Sequence, residues 1–170
     1  QRRKEDAENA EWSMKMASRT AELPAELNHL SERVIGCAIE VHRNLGPGLL
    51  ERIYEEALLY ELEAAVIRAE RQVNVPVRYK DIVLQGQRLD LIVEDRLVLE
   101  LKAVESVPDL YLAQLVTYLR ITNLPLGILI NFNVPLLTKG VYRRINSHAL
   151  TPDPRSAHSA APLPPLRSMD

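Results

Sequence analysis

The stretch Arg88–Lys102, R-L-D-L-I-V-E-D-R-L-V-L-E-L-K, decides how this chain folds. Taken alternately, it separates into two faces. Leu89, Leu91, Val93, Leu97, Leu99 and Leu101 make a wholly apolar face. Arg88, Asp90, Ile92, Val98, Glu100 and Lys102 make the other, which mixes charge with aliphatics. Alternation at period two is the signature of strands. The polar break Glu94-Asp95-Arg96 makes the stretch a hairpin. A three-residue loop pairs Val93 with Leu97, Leu91 with Leu99 and Leu89 with Leu101, and sets Asp90 opposite Glu100 and Arg88 opposite Lys102. A two-residue loop slips the register by one, puts Asp90 on the face away from Glu100 and sets leucines against charges. The apolar pattern therefore predicts the register that brings two carboxylates together. Opposed residues have Cβ atoms about 4.5–5.5 Å apart, so two carboxylates there repel unless a cation lies between them or one is protonated.

Outward from the hairpin, the flanking segments supply helices and more strands. Leu30, Val34, Cys37, Ala38 and Val41 form one helical stripe from Leu27, ending before the breaker Gly46-Pro47-Gly48. Cys37 on that stripe reads as a small core residue. A second helix is expected from near Leu49 to about Ile67, with Leu50, Ile53, Tyr54, Ala57, Leu58, Leu62 and Ala65 inward. Glu51 falls in its first turn at the border of the buried side, where a carboxylate gains from the helix dipole; that stabilising charge is its plainest reading. Gln72–Tyr79 alternates as a strand, and Pro76 within it predicts an edge or a bulge. Tyr79-Lys80-Asp81 reads as a turn, Ile82–Leu84 as a return to the sheet and Gln85-Gly86 as another turn.

Beyond Lys102, Ser106–Asp109 starts a helix whose apolar stripe is Leu112, Leu115, Val116 and Leu119. Gln114 and Tyr118 lie four apart beside that stripe and point the same way. Leu126–Phe132 is a nearly continuous apolar run, the pattern of a central strand, and Val141–Ile145 adds an edge strand with Arg143 and Arg144 exposed. The order α, α, β, β, β, α, β predicts an α/β (α+β) fold, a mixed sheet flanked by helices on both faces. The folded domain is placed at 27–146, after a polar, partly helical extension at 1–26 and before a tail at 147–170. Prolines among Ser and Ala leave that tail too little apolar surface for a core, so it is expected to be disordered.

The 170 residues are enough for one core, and 46% hydrophobic content fits a globular protein. The formal net charge of −2 gives no basic field that would argue for nucleic acid by composition. A single cysteine excludes an intramolecular disulfide and a cysteine zinc site, and fits a reducing, cytoplasmic setting. No apolar run approaches the roughly 20 residues of a membrane span. No secretory signal is visible in a chain that begins at Gln1. No histidine pair has zincin spacing, and Gly46-Pro47-Gly48 lacks the Gly-Lys-Ser/Thr ending of a phosphate loop.

Asp90 followed by Glu100-Leu101-Lys102 resembles the D…(D/E)-x-K core of the PD-(D/E)XK nuclease superfamily, although a surface salt-bridge cluster would show the same residue types. Two further features share the likeness. Glu51 resembles the extra acidic residue many members carry on a helix ahead of the core. Gln114-x-x-x-Tyr118 resembles the Q-x-x-x-Y motif of RecB-type exonuclease members. Gly48-Leu-Leu-Glu51-Arg-Ile-Tyr54-Glu55 is similar to the motif that names the GxxExxY family, a bacterial group of this superfamily. Ile39–Gly48, Glu100–Glu105 and Leu129–Phe132 are similar to its other habitual segments. The likeness spans about 27–146. It departs from the superfamily pattern in lacking the Pro of Pro-Asp, since Leu89 stands before Asp90.

The resemblance implies a restriction-endonuclease-like fold and a metal-dependent nuclease. Phosphodiester cleavage needs a nucleophilic water and charge neutralisation at phosphorus. Mg²⁺, or Mn²⁺ in its place, suits oxygen ligands and binds through one or two carboxylates. The implied metal ligands are Asp90, Glu100, the Leu101 carbonyl and Glu51, the last holding a water of the ion's shell or a second ion. Lys102 would orient the attacking water and stabilise developing charge. Gln114 and Tyr118 would position the phosphate or the lysine. His42 is either a contact at the rim of the site or a satisfied structural histidine, and the second is the plainer reading. The expected partner is nucleic acid, DNA before RNA. The alternative is a silent module of the same fold that binds nucleic acid or protein. Basic and acidic residues nearly cancel within 27–146. A weak binder, a homodimer with a composite groove or a partner that delivers substrate would each reconcile that with a nuclease.

Overall fold

The computed structural model describes residues 23–150; the expectations for 1–22 and 151–170 lie outside the described residues. Helix α1 (Ala25–Leu45) starts behind Pro24 and stops at Gly46. It buries Leu27, Leu30, Val34, Ile35, Ala38 and Val41, a stripe at helical spacing. Helix α2 (Glu51–Ala64) is shorter at both ends than its apolar pattern suggested. Leu50 stands outside it as the N-cap residue, exposed rather than inward. Val66 takes a left-handed backbone, which ends the helix and lets Ile67 turn into the core.

Five strands follow in one sheet, ordered β1-β2-β3-β4-β5. They are β1 (Ala69–Tyr79), β2 (Ile82–Val93), β3 (Leu97–Lys102), β4 (Leu126–Asn131) and β5 (Val141–Ile145). β3 and β4 are parallel and the other pairs antiparallel. Parallel neighbours need a crossover, and helix α3 (Asp109–Thr122) provides it. A short 3-10 helix (Leu137–Gly140) precedes β5, and a single turn α4 (Ser147–Leu150) follows it. The result is the expected mixed sheet with helices on both faces. α1 and α2 cover Leu91, Val93, Leu97, Leu99, Leu101, Ile128 and Ile130 on one side. α3 covers Leu89, Val98 and Leu129 on the other through Leu115, Tyr118 and Leu119. β5 is less open than expected, because Arg143 is half-buried and donates to Asn28 Oδ1 at 3.4 Å.

Two corrections concern β2. Gln85-Gly86 is not a turn, since the strand runs through it. The pairing steps from Val75↔Gln87 to Val77↔Leu84, so two residues of β2 stand against Pro76 alone. This is a β-bulge, and Gly86 with φ 106 supplies its left-handed residue. The second correction is that Leu89 packs under α3, whereas Leu91 and Val93 face α1 and α2. Strict alternation would put all three on one face, so β2 changes sides between Leu89 and Leu91.

Candidate functional site

The change of side falls at Asp90. The β2–β3 register runs Val93↔Leu97, Ile92↔Val98, Leu91↔Leu99 and stops there. The expected Asp90–Glu100, Leu89–Leu101 and Arg88–Lys102 pairs are not formed. Instead Asp90 Oδ2 accepts the Leu101 backbone N–H at 2.8 Å. A side chain thus takes a hydrogen bond that a continued ladder would have given to backbone, and the strands part into a fork. On the other flank β1 is disturbed too. Its pairs go from Arg71↔Leu91 to Val73↔Leu89, and Gln72 between them has φ 52. The Gln72 amide donates to Glu55 Oε2 at 2.5 Å, and Arg71 bonds the other oxygen of that buried carboxylate at 3.0 Å. A non-glycine residue in the left-handed region is held there by its surroundings; here Glu55 of α2 is the holder.

Glu100 and Lys102 project from β3 into the fork. Lys102 Nζ donates to Glu100 Oε1 and to the Leu101 carbonyl, each at 2.8 Å, and lies 3.9 Å from Asp90 Oδ2. Three oxygens from two strands therefore converge on one cationic nitrogen. Tyr111 of α3 lies beneath that ammonium, 5.7 Å from ring centre to Nζ. Glu100 is 6% exposed, and its second oxygen, Oε2, is buried with no hydrogen-bond partner. Burial first, and the Asp90 charge second, push the Glu100 carboxyl up to about 7 against the relief from Lys102. Burial works to lower the Lys102 pKa, but its hydrogen bond to Glu100 and the charges of Glu100, Glu51 and Asp90 outweigh it, and the value is raised.

Glu51 enters from α2. Its place in the first turn is fixed by the loop before it: the Tyr54 hydroxyl donates to the Gly46 carbonyl at 2.7 Å and accepts the Leu49 N–H at 3.1 Å. The Tyr54 ring stacks on Phe132 at 4.4 Å. The charges of Lys102 and Asp90 both act on Glu51. Its carboxyl is raised chiefly by burial, with Asp90 and Glu55 adding to the rise and Lys102 opposing it. From α3, Gln114 Nε2 donates to the Tyr118 hydroxyl, and Tyr118 senses Glu100, Lys102 and Asp90. The structure thus gathers Glu51, Asp90, Glu100, Lys102, Gln114 and Tyr118 in one place. It sets His42 apart. His42 Nε2 pairs with the Val134 carbonyl at 2.8 Å beside Phe132, and none of the described interactions of the four charged residues involves it.

Residues 28–145 match the model of the PD-(D/E)XK nuclease superfamily. The chain belongs to this superfamily. No curated protein and no solved structure matches it. The match runs from the first turn of α1 to the end of β5, so the whole sheet and the fork lie inside it. Nucleases of this superfamily generally use divalent metal ions, so the fit of an ion here can be tested on the donors. Among the described residues no three His, Cys, Asp or Glu side chains close on one point; the Lys102 ammonium stands between the carboxylates. Yet Glu100 Oε1 and the Leu101 carbonyl already share one cation, Asp90 borders it, and Glu100 Oε2 is a buried oxygen without a donor. An unpartnered buried oxygen is costly, and an all-oxygen set with two carboxylates suits a hard ion that keeps its own waters. The donors fit, provided the ammonium moves aside.

Three further residues of this superfamily member serve the site and were not singled out in the sequence. Glu55 holds Gln72, as described. Asn131, at the end of β4, accepts the Val104 N–H at 3.0 Å and donates to the Val104 carbonyl at 2.8 Å, which clips the segment after Lys102 to the sheet. An Asn closing an apolar run was the available signal. Gln87 Nε2 donates to the Tyr118 hydroxyl at 3.0 Å; nothing in the local pattern marks it.

Proposed function

We propose that this chain is a divalent-metal-dependent nuclease, with Mg²⁺ the expected ion and Mn²⁺ a substitute, that hydrolyses phosphodiester bonds of DNA or, second, RNA. The observation that supports it most is the convergence of Glu100 Oε1, the Leu101 carbonyl and Asp90 Oδ2 on one cation beside the unpartnered Glu100 Oε2. Asp90, Glu100, the Leu101 carbonyl and Glu51 are the residues that would hold the ion, which supplies Lewis acidity and charge neutralisation at phosphorus. Lys102, freed from Glu100, orients the attacking water and stabilises negative charge on the phosphate oxygens. Glu51, at the edge of the fork, would hold a water of the ion's shell or a second ion. Gln114 and Tyr118 position the phosphate. His42 fixes the Val134 loop.

A second reading is a silent nuclease-fold module that binds nucleic acid or protein. The Lys102 ammonium favours it, because as placed it already neutralises the point between the carboxylates. The test is incubation with linear, circular and single-stranded DNA and with RNA, with and without Mg²⁺ or Mn²⁺. Metal-dependent cleavage lost in Glu100→Ala and Lys102→Ala supports the enzyme. No cleavage of any substrate, with no metal binding by calorimetry, sinks it.

A further inference from the structure

We propose that Gln87 is a positioning residue which, together with Gln114, turns the Tyr118 hydroxyl into a hydrogen-bond donor for the substrate phosphate. This rests on the nuclease reading and assigns to it a residue that no motif contains. Tyr118 is 3% exposed. Its hydroxyl accepts from two amide groups, Gln87 Nε2 at 3.0 Å and Gln114 Nε2. The Arg88 carbonyl, which can only accept, lies 3.4 Å from the same Gln87 nitrogen, so the NH₂ end of that amide faces this way. With both donors on its lone pairs, the phenol oxygen keeps one function, to donate its own proton. Burial and the negative charges of Glu100 and Asp90 hold that proton on the oxygen, so the group meets substrate as a neutral donor rather than a repelling phenolate.

The backbone shows what brings Gln87 there. A regular β2 would give Gln87 the face of Leu91 and Val93, toward α1 and α2. The break at Asp90 puts Leu89 under α3 instead, and Gln87, two residues earlier, shares that face and stands opposite Val75, which packs in the same cluster. The bulge at Gln85-Gly86 begins immediately before it. Bulges re-aim side chains beside active sites. The irregularity that aims Asp90 into the fork therefore also delivers Gln87 to Tyr118.

The test uses the full chain and the substrate found in the cleavage assay. Gln87→Met removes the donor at similar volume; Gln87→Glu keeps the shape but offers an acceptor, which draws the Tyr118 proton inward. Gln87→Met should lower kcat roughly 2–13-fold, the range for one hydrogen bond, with KM and Mn²⁺ affinity nearly unchanged. Gln87→Glu should lower kcat further, which a merely structural role would not produce. The double variant Gln87→Met/Tyr118→Phe should be no slower than Tyr118→Phe alone, because the two act as one unit. In protein carrying ¹³Cζ-tyrosine, the Tyr118 resonance, assigned by its loss in Tyr118→Phe, should move in Gln87→Met. Unchanged kcat in both Gln87 variants, losses that multiply in the double, or an unmoved resonance overturns this inference while leaving the nuclease reading intact. A wild-type chain that cleaves nothing overturns the nuclease reading, and this inference with it.

Discussion

Glu100 is the residue on which the chemistry turns. Its carboxyl is raised from 4.5 to about 7 by burial, then by Asp90. The folded chain therefore holds that proton more tightly than the unfolded chain. The stability it contributes is fully present below about pH 4.5 and is lost as pH climbs through about 7. A divalent ion must displace the same proton below that point. MgCl₂ should therefore raise Tm more at about pH 8 than at about pH 6. Glu100→Ala should abolish the shift at both, as read by thermal unfolding monitored by circular dichroism. An equal shift at the two pH values would count against Glu100 as a ligand. At the same scale, Tyr54→Phe removes a fully buried hydroxyl that donates to Gly46 and accepts from Leu49. It should cost about 1–3 kcal/mol in urea unfolding and lower cleavage as well, since the same loop sets Glu51.

At the scale of elements, the β2–β3 hairpin was readable because its inner face is aliphatic wherever the two strands pair, and one register alone kept those leucines together. The convergence of Asp90 with Glu100 around Lys102 followed from that register, although pairing stops at Leu91↔Leu99 and the direct Asp90–Glu100 pair is not formed. Its manner did not. Asp90 reaches β3 by taking the Leu101 N–H, and Gln72 across from it adopts a left-handed backbone tied down by Glu55. Both are tertiary events, and alternation cannot register them, so the side change at Leu89 and the role of Gln87 stayed hidden. The bulge was half-visible. Pro76 announced it, but Gly86 mimicked a turn because the same positive φ serves both. Backbone approach is likewise silent in sequence and gives an element-scale prediction. A Cβ on Gly140 would lie 2.2 Å from the Asn131 carbonyl oxygen, whereas one on Gly127 would meet the ends of Leu115 at 2.9 Å. Gly140→Ala should therefore cost about 3 kcal/mol or more, and Gly127→Ala nearer 1, because side-chain tips yield and strand backbone does not. Urea unfolding of the two variants reads the difference.

At the scale of the molecule, the β1–β2 hairpin runs past the core as an arm. Tyr79, Ile82, Val83 and Leu84 on it are 57%, 54%, 51% and 47% exposed. Such residues make few contacts within the chain, so Ile82→Thr/Leu84→Thr should leave Tm within about 2 °C, measured by calorimetry. A larger drop would mean that the arm is covered in solution. No described helix is long and apolar enough to cross a membrane. The near balance of charge that argued against a basic field in the sequence is not spread evenly. Glu51, Asp90 and Glu100 gather at the fork around Lys102.

The bulge and the break at Asp90 also set how the length of this chain can drift. Between Gly86 and Asp90 every residue has a fixed side to face, so one inserted or deleted residue there would turn Gln87 from Tyr118 or Asp90 from Leu101. At its tip, Tyr79 to Ile82, the arm is exposed and answers chiefly to its own partner strand. Among relatives, gaps should crowd into the arm tip and spare the five residues at its root.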